Sequence, residues 1–208
     1  MRILIVTSVP AETDAIGSHD GVTIVTGGIG RTNAAASTTE SILRHDPFAA
    51  VVNAGVAGVL PGGKLAIGDT VVASACVYAE EGLVTPAGFA DMAEMGFSLG
   101  DFPGNAVPVD DGLLGRLAGH FPTGSIATVA TCSGTDAAAE SVARRTLAVA
   151  EAMEGAAVVH AARRLGVPAI ELRVISNTTG DRDNQKWDLA GALVALGRSV
   201  GEALAALS

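Results

Sequence analysis

The sequence predicts an α/β fold, a three-layer α/β/α sandwich with a central mixed, largely parallel sheet. Short apolar runs rich in β-branched residues alternate with segments of helical spacing, and several of these runs are apolar throughout, as in strands covered on both faces. Glycine supplies 26 of the 208 residues, and residues this small let helices pack tightly on a sheet and let the backbone approach a ligand. We expect residues 1–208 to form a single domain.

The elements follow in order along the chain. The β-branched runs predict strands at 2–7, 22–26, 50–53, 69–77, 125–130 and 169–176. The helical spacing predicts helices at 32–45, 112–120, 136–148, 155–165 and 187–207. Residues 80–111 carry prolines, glycines and apolar side chains with weak periodicity, so we interpret them as a long excursion or lid-like loop of the same domain.

Composition and charge exclude several classes of protein. The 49% of hydrophobic residues excludes disorder as the main state. The formal net charge of −9 argues against duplex nucleic acid as a partner, because phosphates would be repelled. No run reaches the roughly 18 apolar residues of a membrane span, and the N-terminus reads as a strand without a secretion signal. We therefore predict a cytoplasmic protein that binds neither nucleic acid nor membrane.

Metals and cofactors are not expected either. The two cysteines, Cys76 and Cys132, are far apart and form no ligand cluster, which makes a disulfide scaffold or a cysteine zinc site improbable. The glycine turn at 27–31 (GGIGR) is not a dinucleotide fingerprint, because the third glycine is missing and the strand at 50–53 ends at Asn53 with no acid for a ribose. We predict no metal and no cofactor.

Two glycine motifs remain open between a structural and a functional reading. The turn at 27–31 joins a strand to a helix and exposes amides that suit a phosphate or a sugar oxygen, but a plain tight turn explains it equally well. Residues 53–58 (NAGVAG) follow a strand at the edge where ligands usually bind, and a crowded strand-to-helix turn is the alternative.

Two acids stand out by their surroundings. Glu12 follows the first strand in what we expect to be a loop, where an acid is usually solvated. Glu154 lies among apolar residues at the start of a helix that looks buried, where a charge is costly without a partner. The helix N-terminus stabilises that charge and a ligand hydroxyl would satisfy it, so we favour a functional role. We expect His160, on the same helix, to pack rather than to act in chemistry.

Polar residues also accumulate abruptly where the last predicted strand ends, at 175–183 (ISNTTGDRD). This is the usual edge of a binding site in an α/β fold. The alternative is a capped turn before the C-terminal helix, with Asp181 or Asp183 as the capping residue.

In this order, the motifs resemble the purine nucleosidase and nucleoside phosphorylase superfamily. The likeness is closest to methylthioadenosine/S-adenosylhomocysteine nucleosidases and to futalosine hydrolases, and it runs across nearly the whole chain. It is carried by Glu12, by residues 28–30, 53–58 and 133–135, and by the pairs Met153-Glu154 and Ser176-Asn177. The resemblance implies a nucleoside phosphorylase-like fold and a homodimer or larger homo-oligomer, to whose interface the 80–111 segment could contribute if it does not cover the pocket.

On the sugar side, the resemblance implies three roles. Glu12 would activate the attacking water, Met153 would pack under the ribose, and Glu154 would accept hydrogen bonds from the ribose hydroxyls.

On the purine side, the resemblance implies contacts to the base. Gly58 would offer a backbone contact, Ser176 and Asn177 would face the purine ring, and Trp187 would lie beside it.

Two departures from the family pattern refine the expected reaction. Nucleosidases that act on adenine carry aspartate where this chain has Asn177, and an amide can donate to N7 or O6 of a 6-oxopurine but cannot act as a general acid. Phosphorylases place a hydroxyl where this chain has Val56, and Arg31 is the only basic residue in the two glycine motifs. We therefore expect water as the nucleophile and hypoxanthine as the base.

The expected function is hydrolysis of the N-glycosidic bond of futalosine, which releases hypoxanthine and dehypoxanthine futalosine in menaquinone biosynthesis. The alternatives are a methylthioadenosine/S-adenosylhomocysteine or aminodeoxyfutalosine nucleosidase, a phosphorylase, or a non-catalytic purine-nucleoside sensor. Asp181 or Asp183 could supply a proton to the base. Arg182 and Lys186 are hypothetical partners for a carboxylate on the substrate, and solvated side chains are the alternative.

Overall fold

A computed structural model describes residues 2–45 and 47–208 of the chain. Six helices and ten strands lie within these residues. The strands are β1 (Ile3–Thr7), β2 (Val22–Thr26), β3 (Ala50–Val59), β4 (Thr70–Tyr78), β5 (Gly82–Thr85), β6 (Gly88–Asp91), β7 (Ala106–Pro108), β8 (Thr123–Thr128), β9 (Ala150–Ala152) and β10 (Ala169–Thr178). The helices are α1 (Pro10–Ile16), α2 (Arg31–Arg44), α3 (Asp111–Leu117), α4 (Asp136–Thr146), α5 (Gly155–Arg164) and α6 (Leu189–Leu207), with a 3₁₀ turn at Arg182–Asn184.

The central sheet runs in the order β10-β4-β8-β9-β3-β1-β2, with β7 paired to β4. Strand β3 also pairs with β10, so the path from β10 through β9 to β3 closes on itself. The pairs β1–β2, β1–β3, β3–β10, β4–β8 and β8–β9 are parallel, and β3–β9, β4–β7 and β4–β10 are antiparallel. The predicted α/β sandwich with a mixed, largely parallel sheet is confirmed.

The central strands are largely buried because helices cover the sheet. Every residue of β1 and nine of the ten residues of β10 are buried, as expected for strands covered on both faces. Helices α2 and α5 pack against each other, as do α1 and α6, and both α5 and α6 contact β3 and β10. This packing holds the ends of β1, β3 and β10 in fixed positions relative to one another.

The predicted boundaries need three corrections. Residues 53–58 do not form a strand-to-helix turn: they continue β3 to Val59, because β10 and β9 supply backbone partners on both sides. Residues 150–152, beyond the end of a predicted helix, form the short strand β9. The 80–111 excursion is partly regular, since it contains the β5–β6 hairpin and strand β7.

Helix α6 is the most apolar helix of the chain. By length and composition alone its 19 residues, of mean hydropathy 1.4, could cross a membrane, a test that the core helices of water-soluble proteins also pass. It carries Arg198 and Glu202, and it packs on α1 and the sheet through seven buried residues, among them Leu196 and Val200. This packing gives its apolar face a partner within the fold.

Candidate active site

A cavity of about 540 Å³ opens beside the ends of β1, β3 and β10. All seven residues to which the family resemblance gives a role at the sugar or the purine line its wall: Glu12, Gly58, Met153, Glu154, Ser176, Asn177 and Trp187. They come from five separate parts of the chain, and only the sheet topology brings them together. The wall thus combines two carboxylates, an amide, a hydroxyl and an indole.

Glu12 is held by backbone amides. It lies in the first turn of α1 and not in a loop, because α1 begins at Pro10, directly after β1, and proline is favoured at the first helical position. Its Oε2 atom accepts hydrogen bonds from the backbone N–H groups of Ser8 at 2.8 Å and Val9 at 3.3 Å. Its Oε1 atom accepts from the N–H of Val56 at 3.0 Å. The carboxylate is therefore buried, oriented and directed at the cavity.

Glu154 faces the same cavity from the start of α5. Its Oε1 atom accepts a hydrogen bond from the N–H of Gly30 at 3.0 Å, which gives the first glycine turn a structural role. Its Oε2 atom accepts from Nη2 of Arg173 at 3.2 Å. Because Glu154 is the residue that precedes α5, the helix N-terminus also favours its negative charge.

Arg173 connects Glu154 to a second buried acid, Glu171. Its guanidinium donates to Glu171 through Nε at 2.8 Å, and through Nη2 to Glu154 and to Oδ1 of Asn53. Burial alone would lower the pKa of Arg173, but the carboxylates of Glu171, Glu154 and Glu12 raise it above its ordinary value. The guanidinium therefore stays charged.

Two glycines of β3 leave space for these polar groups. A Cβ atom at Gly55 would lie 2.5 Å from both Oε1 of Glu12 and Nη1 of Arg173. A Cβ atom at Gly58 would lie 2.9 Å from Nδ2 of Asn177. Any larger residue at either position would displace a group of the cavity wall.

Ser176 and Asn177 occupy a β-bulge of β10, where the register against β3 shifts between Ile175 and Asn177. The Ser176 hydroxyl donates to Oδ1 of Asn177 at 2.8 Å, and Nδ2 of Asn177 donates to the carbonyl of Thr178 at 3.0 Å. An amide nitrogen carries two hydrogens, so one remains for a ligand. The bulge thus orients an amide donor toward the cavity.

An aromatic side chain forms part of the same wall. Trp187 is 50% exposed, and its Nε1 donates to Oε1 of Gln185 at 3.0 Å. The guanidinium of Arg182, which also lines the cavity, lies 4.8 Å from the Trp187 ring centroid. Lys186 is absent from the wall in the described part of the chain. Arg182 is therefore the nearer of the two hypothetical cations.

The two candidate proton donors lie elsewhere. The carboxylate of Asp181 accepts from the backbone N–H of Asp136 at 3.0 Å, at the start of α4. Over residues 2–45 and 47–208, neither Asp181 nor Asp183 contributes to the cavity wall. Asp181 thus binds the first backbone N–H of α4, whereas the C-terminal helix α6 is capped by Asp188, so a cap of that helix by Asp181 is not what the structure shows.

Comparison with known proteins shows the family to which the chain belongs. A model of the phosphorylase superfamily matches residues 13–207. The chain is 40% identical to the futalosine hydrolase of Acidothermus cellulolyticus over 100% of its own length and 90% of that protein. It is 33% identical to the futalosine hydrolase of Streptomyces coelicolor, over 97% and 94% of the two chains. The chain belongs to the futalosine hydrolase family of the phosphorylase superfamily.

A solved structure with the same architecture is the futalosine hydrolase of Helicobacter pylori. It superposes with a TM-score of 0.79 at 20% identity, covering 98% of this chain and 97% of that one. At this identity the likeness shows the fold. Together with the sequence matches it makes this member of the futalosine hydrolase family an N-glycosidic hydrolase.

The structure adds residues that the sequence motifs did not indicate. Glu151 lines the cavity and accepts from the N–H of Ser133 at 2.7 Å and from its hydroxyl at 2.6 Å. Burial raises the pKa of Glu151, and the hydrogen bonds from Ser133 oppose that rise. Ser8 also lines the cavity, and its buried hydroxyl has no hydrogen-bond partner within the described residues. For Arg173 and Glu171 the sequence held one signal: two charged residues, two positions apart, within an otherwise apolar predicted strand.

A metal site does not emerge from the residues described. Residues 2–45 and 47–208 hold no cluster of three or more histidine, cysteine or acidic side chains that could bind an ion. Cys76 is buried and Cys132 is exposed, and both are free thiols. The prediction that the chain uses no metal or cofactor stays a prediction.

Proposed function

We propose that this chain hydrolyses the N-glycosidic bond of futalosine and releases hypoxanthine and dehypoxanthine futalosine, a cytoplasmic step in menaquinone biosynthesis. The observation that carries the proposal is the convergence of Glu12, Glu154 and Asn177 on one cavity. Two carboxylates and an amide donor suit cleavage of a 6-oxopurine nucleoside, which uses a base for water, negative groups near the sugar and donors near the purine. The functional names of the sequence relatives support the same substrate.

Cleavage of this bond builds positive charge on the ribose and negative charge on the departing purine. Glu12 takes the proton from the attacking water, since backbone amides already orient its carboxylate. Glu154 accepts hydrogen bonds from the ribose hydroxyls and stabilises the developing cation. Asn177 donates through Nδ2 to N7 or O6 of the leaving hypoxanthine. Met153 packs under the sugar and Trp187 flanks the base, while Gly58 and Ser176 complete the contacts to the purine.

Water is preferred to phosphate as the nucleophile. Phosphate binding needs cations that are not already neutralised, and Arg31 forms ion pairs with Glu81 at 2.5 Å and Glu80 at 3.4 Å. Arg173 is paired with Glu154 and Glu171. Val56 contributes an apolar side chain where a hydroxyl would serve a phosphate. Full turnover without phosphate is therefore expected.

The nearest alternative is a nucleosidase for methylthioadenosine or aminodeoxyfutalosine. Asn177 favours the 6-oxopurine, because a neutral amide supplies no proton to an adenine leaving group. A non-catalytic sensor is disfavoured, since Glu12 and Glu154 are both buried and both directed at one cavity. A protein that only binds the nucleoside would not need Glu12, the carboxylate that we expect to activate the attacking water.

The proposed assembly is a homodimer or larger homo-oligomer. Leu83, Val84 and Phe97, all in the 80–111 segment, are 50%, 81% and 61% exposed. None of the described residues of this segment lies on the cavity wall, so covering the pocket of the same chain is not its role here. Its exposed apolar side chains suit a subunit interface instead.

The proposal is tested by incubating the enzyme with futalosine, inosine and methylthioadenosine in parallel, in phosphate-free buffer, and separating the products by chromatography. We expect hypoxanthine from futalosine as the fastest product. Glu12→Gln should lower kcat by about 10²- to 10⁴-fold, the usual contribution of a general base. Glu140→Gln, an exposed acid on α4, is the matched control. Retention of most activity in Glu12→Gln would remove Glu12 from the mechanism.

A further inference from the structure

Glu171 is a fully buried carboxylate that no part of the proposed mechanism uses. It lies in β10 two residues before Arg173 and accepts a hydrogen bond from Nε of that arginine at 2.8 Å. The buried thiol of Cys76 lies beside it. In the part of the chain that the structure describes, Arg173 lines the cavity and Glu171 does not. Glu171 therefore reaches the cavity only through Arg173.

The fold makes room for this acid by placing a glycine at the start of α5. A Cβ atom at Gly155, the first residue of α5, would overlap the Glu171 carboxylate, so the helix carries no side chain there. A buried ion pair is often no more stabilising than apolar residues of the same volume. Packing alone therefore does not explain why an acid occupies this position.

The charges around Arg173 suggest what the acid does. Glu154 accepts from Nη2 on the cavity side, and Glu171 accepts from Nε on the core side. Glu12 faces Nη1 across Gly55. A single guanidinium thus pairs with two carboxylates and lies near a third. If the core-side carboxylate were neutral, the positive charge of Arg173 would be balanced only by the two acids that face the sugar.

We propose that Glu171 is a positioning residue for glycosidic cleavage: it balances the positive charge of Arg173 from the core side, so that this charge does not offset the attraction of Glu154 and Glu12 for the ribose. This inference rests on the proposed function, because it concerns the positive charge that develops on the sugar. Among the described residues Glu171 does not line the cavity, so it acts on the positively charged ribose only through the guanidinium of Arg173.

The variant Glu171→Gln tests this role. Glutamine has nearly the same shape and keeps an oxygen for Nε of Arg173, so the substitution removes the charge and little else. We expect kcat for futalosine to fall roughly ten- to thirtyfold, with KM within about threefold, as for loss of a unit charge at close range. Affinity should fall by the same factor for a pyrrolidine analogue of inosine with a protonated ring nitrogen. Affinity for neutral 9-deazainosine, measured by calorimetry, should not change.

Controls separate this electrostatic role from a structural one. Glu202, an exposed acid on α6, pairs with His120 and lies outside the cavity wall. Glu202→Gln should leave kcat and both affinities unchanged. Thermal unfolding shows whether Glu171→Gln is folded. The inference is overturned if Glu171→Gln keeps kcat within twofold, or if its affinity for the cationic and the neutral analogue falls equally. A wild-type enzyme that releases no base would instead contradict the proposed function, and the two binding measurements would still decide the role of Glu171.

Discussion

At the scale of single residues, backbone amides orient the acids of this cavity before a substrate arrives. Glu12 accepts from the N–H groups of Ser8, Val9 and Val56, and Glu154 accepts from that of Gly30. Backbone donors are fixed by the fold, so they need no reorganisation during the reaction. The two carboxylates are therefore preorganised by the backbone at the end of β1, in β3 and in the first glycine turn, and the buried side chain of Arg173 adds one further donor to Glu154.

Asn177→Asp should shift the purine preference toward 6-amino nucleosides. An aspartic acid can supply a proton to N7 and can accept from the 6-amino group, whereas the amide of Asn177 donates to a 6-oxopurine. We expect the ratio of kcat/KM for adenosine to that for inosine to rise at least about tenfold, within the range that site hydrogen bonds can produce.

The control for this change is Asn184→Asp, the same substitution at an exposed position of the 3₁₀ turn. It should leave the ratio as in the wild type. An unchanged ratio in Asn177→Asp would show that the residue does not recognise the base.

Some site residues could be predicted because the sequence changes character at them. Three of them are polar residues next to apolar runs: Glu12, Glu154 and Asn177. A change from apolar to polar residues can be recognised in the sequence alone. Glu151 lies in a segment that has no strand signal, since β9 is only three residues long and is formed by pairing with β3 and β8. Ser8 gave no signal, because a serine after a strand is ordinary.

At the scale of elements, the sequence predicted where β3 begins but not where it ends. The apolar run stops at Asn53, yet the strand continues to Val59, because β10 lies beside it and its last residues also pair with β9. The amide of Asn53 is satisfied within the core, donating to the carbonyl of Val6. Pairing between strands more than 90 residues apart supplies these bonds, and local pattern does not contain that information.

Two glycine-to-alanine substitutions in helices should have opposite effects on stability. A Cβ atom at Gly155 of α5 would overlap the Glu171 carboxylate, and that buried acid cannot move without losing Arg173. We expect Gly155→Ala to destabilise the fold by about 1–3 kcal/mol, as overpacking in cores does. Gly201 of α6 has nothing within 4 Å of its Cβ position, so Gly201→Ala should stabilise by about 0.4–1 kcal/mol.

Urea unfolding of the two variants and the wild type measures both effects on the same scale. Equal stabilities for Gly155→Ala and the wild type would mean that the carboxylate has room to shift. The Glu171–Arg173 geometry on which the electrostatic role depends would then be wrong.

At the scale of the whole molecule, closure of the sheet brings segments that are distant in sequence together in one site. Because β3 pairs with β10 on one side and β9 on the other, Gly58 has Asn177 and Glu151 as its neighbours across the strands. Helical spacing and strand runs indicated the layers of the fold. They could not indicate that the strand path returns to β10, because that depends on long-range pairing.

The buried acids should also make the fold more stable in mild acid than in mild base. Burial raises the pKa of Glu171, Glu151 and Glu81 above the ordinary value. The folded chain therefore binds more protons than the unfolded chain just above pH 4.5, and its stability falls as the pH rises through the folded pKa values, by about 1.4 kcal/mol for each pKa unit of a well-buried group.

Burial lowers the pKa of His160, which opposes this trend below about pH 6.5, but this is one group against three. The free energy of unfolding in urea should thus be higher just above pH 4.5 than at pH 8, and Glu151→Gln should reduce that difference by raising stability at pH 8. A stability that instead rises steadily from pH 4.5 to pH 8 would mean that these carboxyls are ionised without penalty in the folded chain.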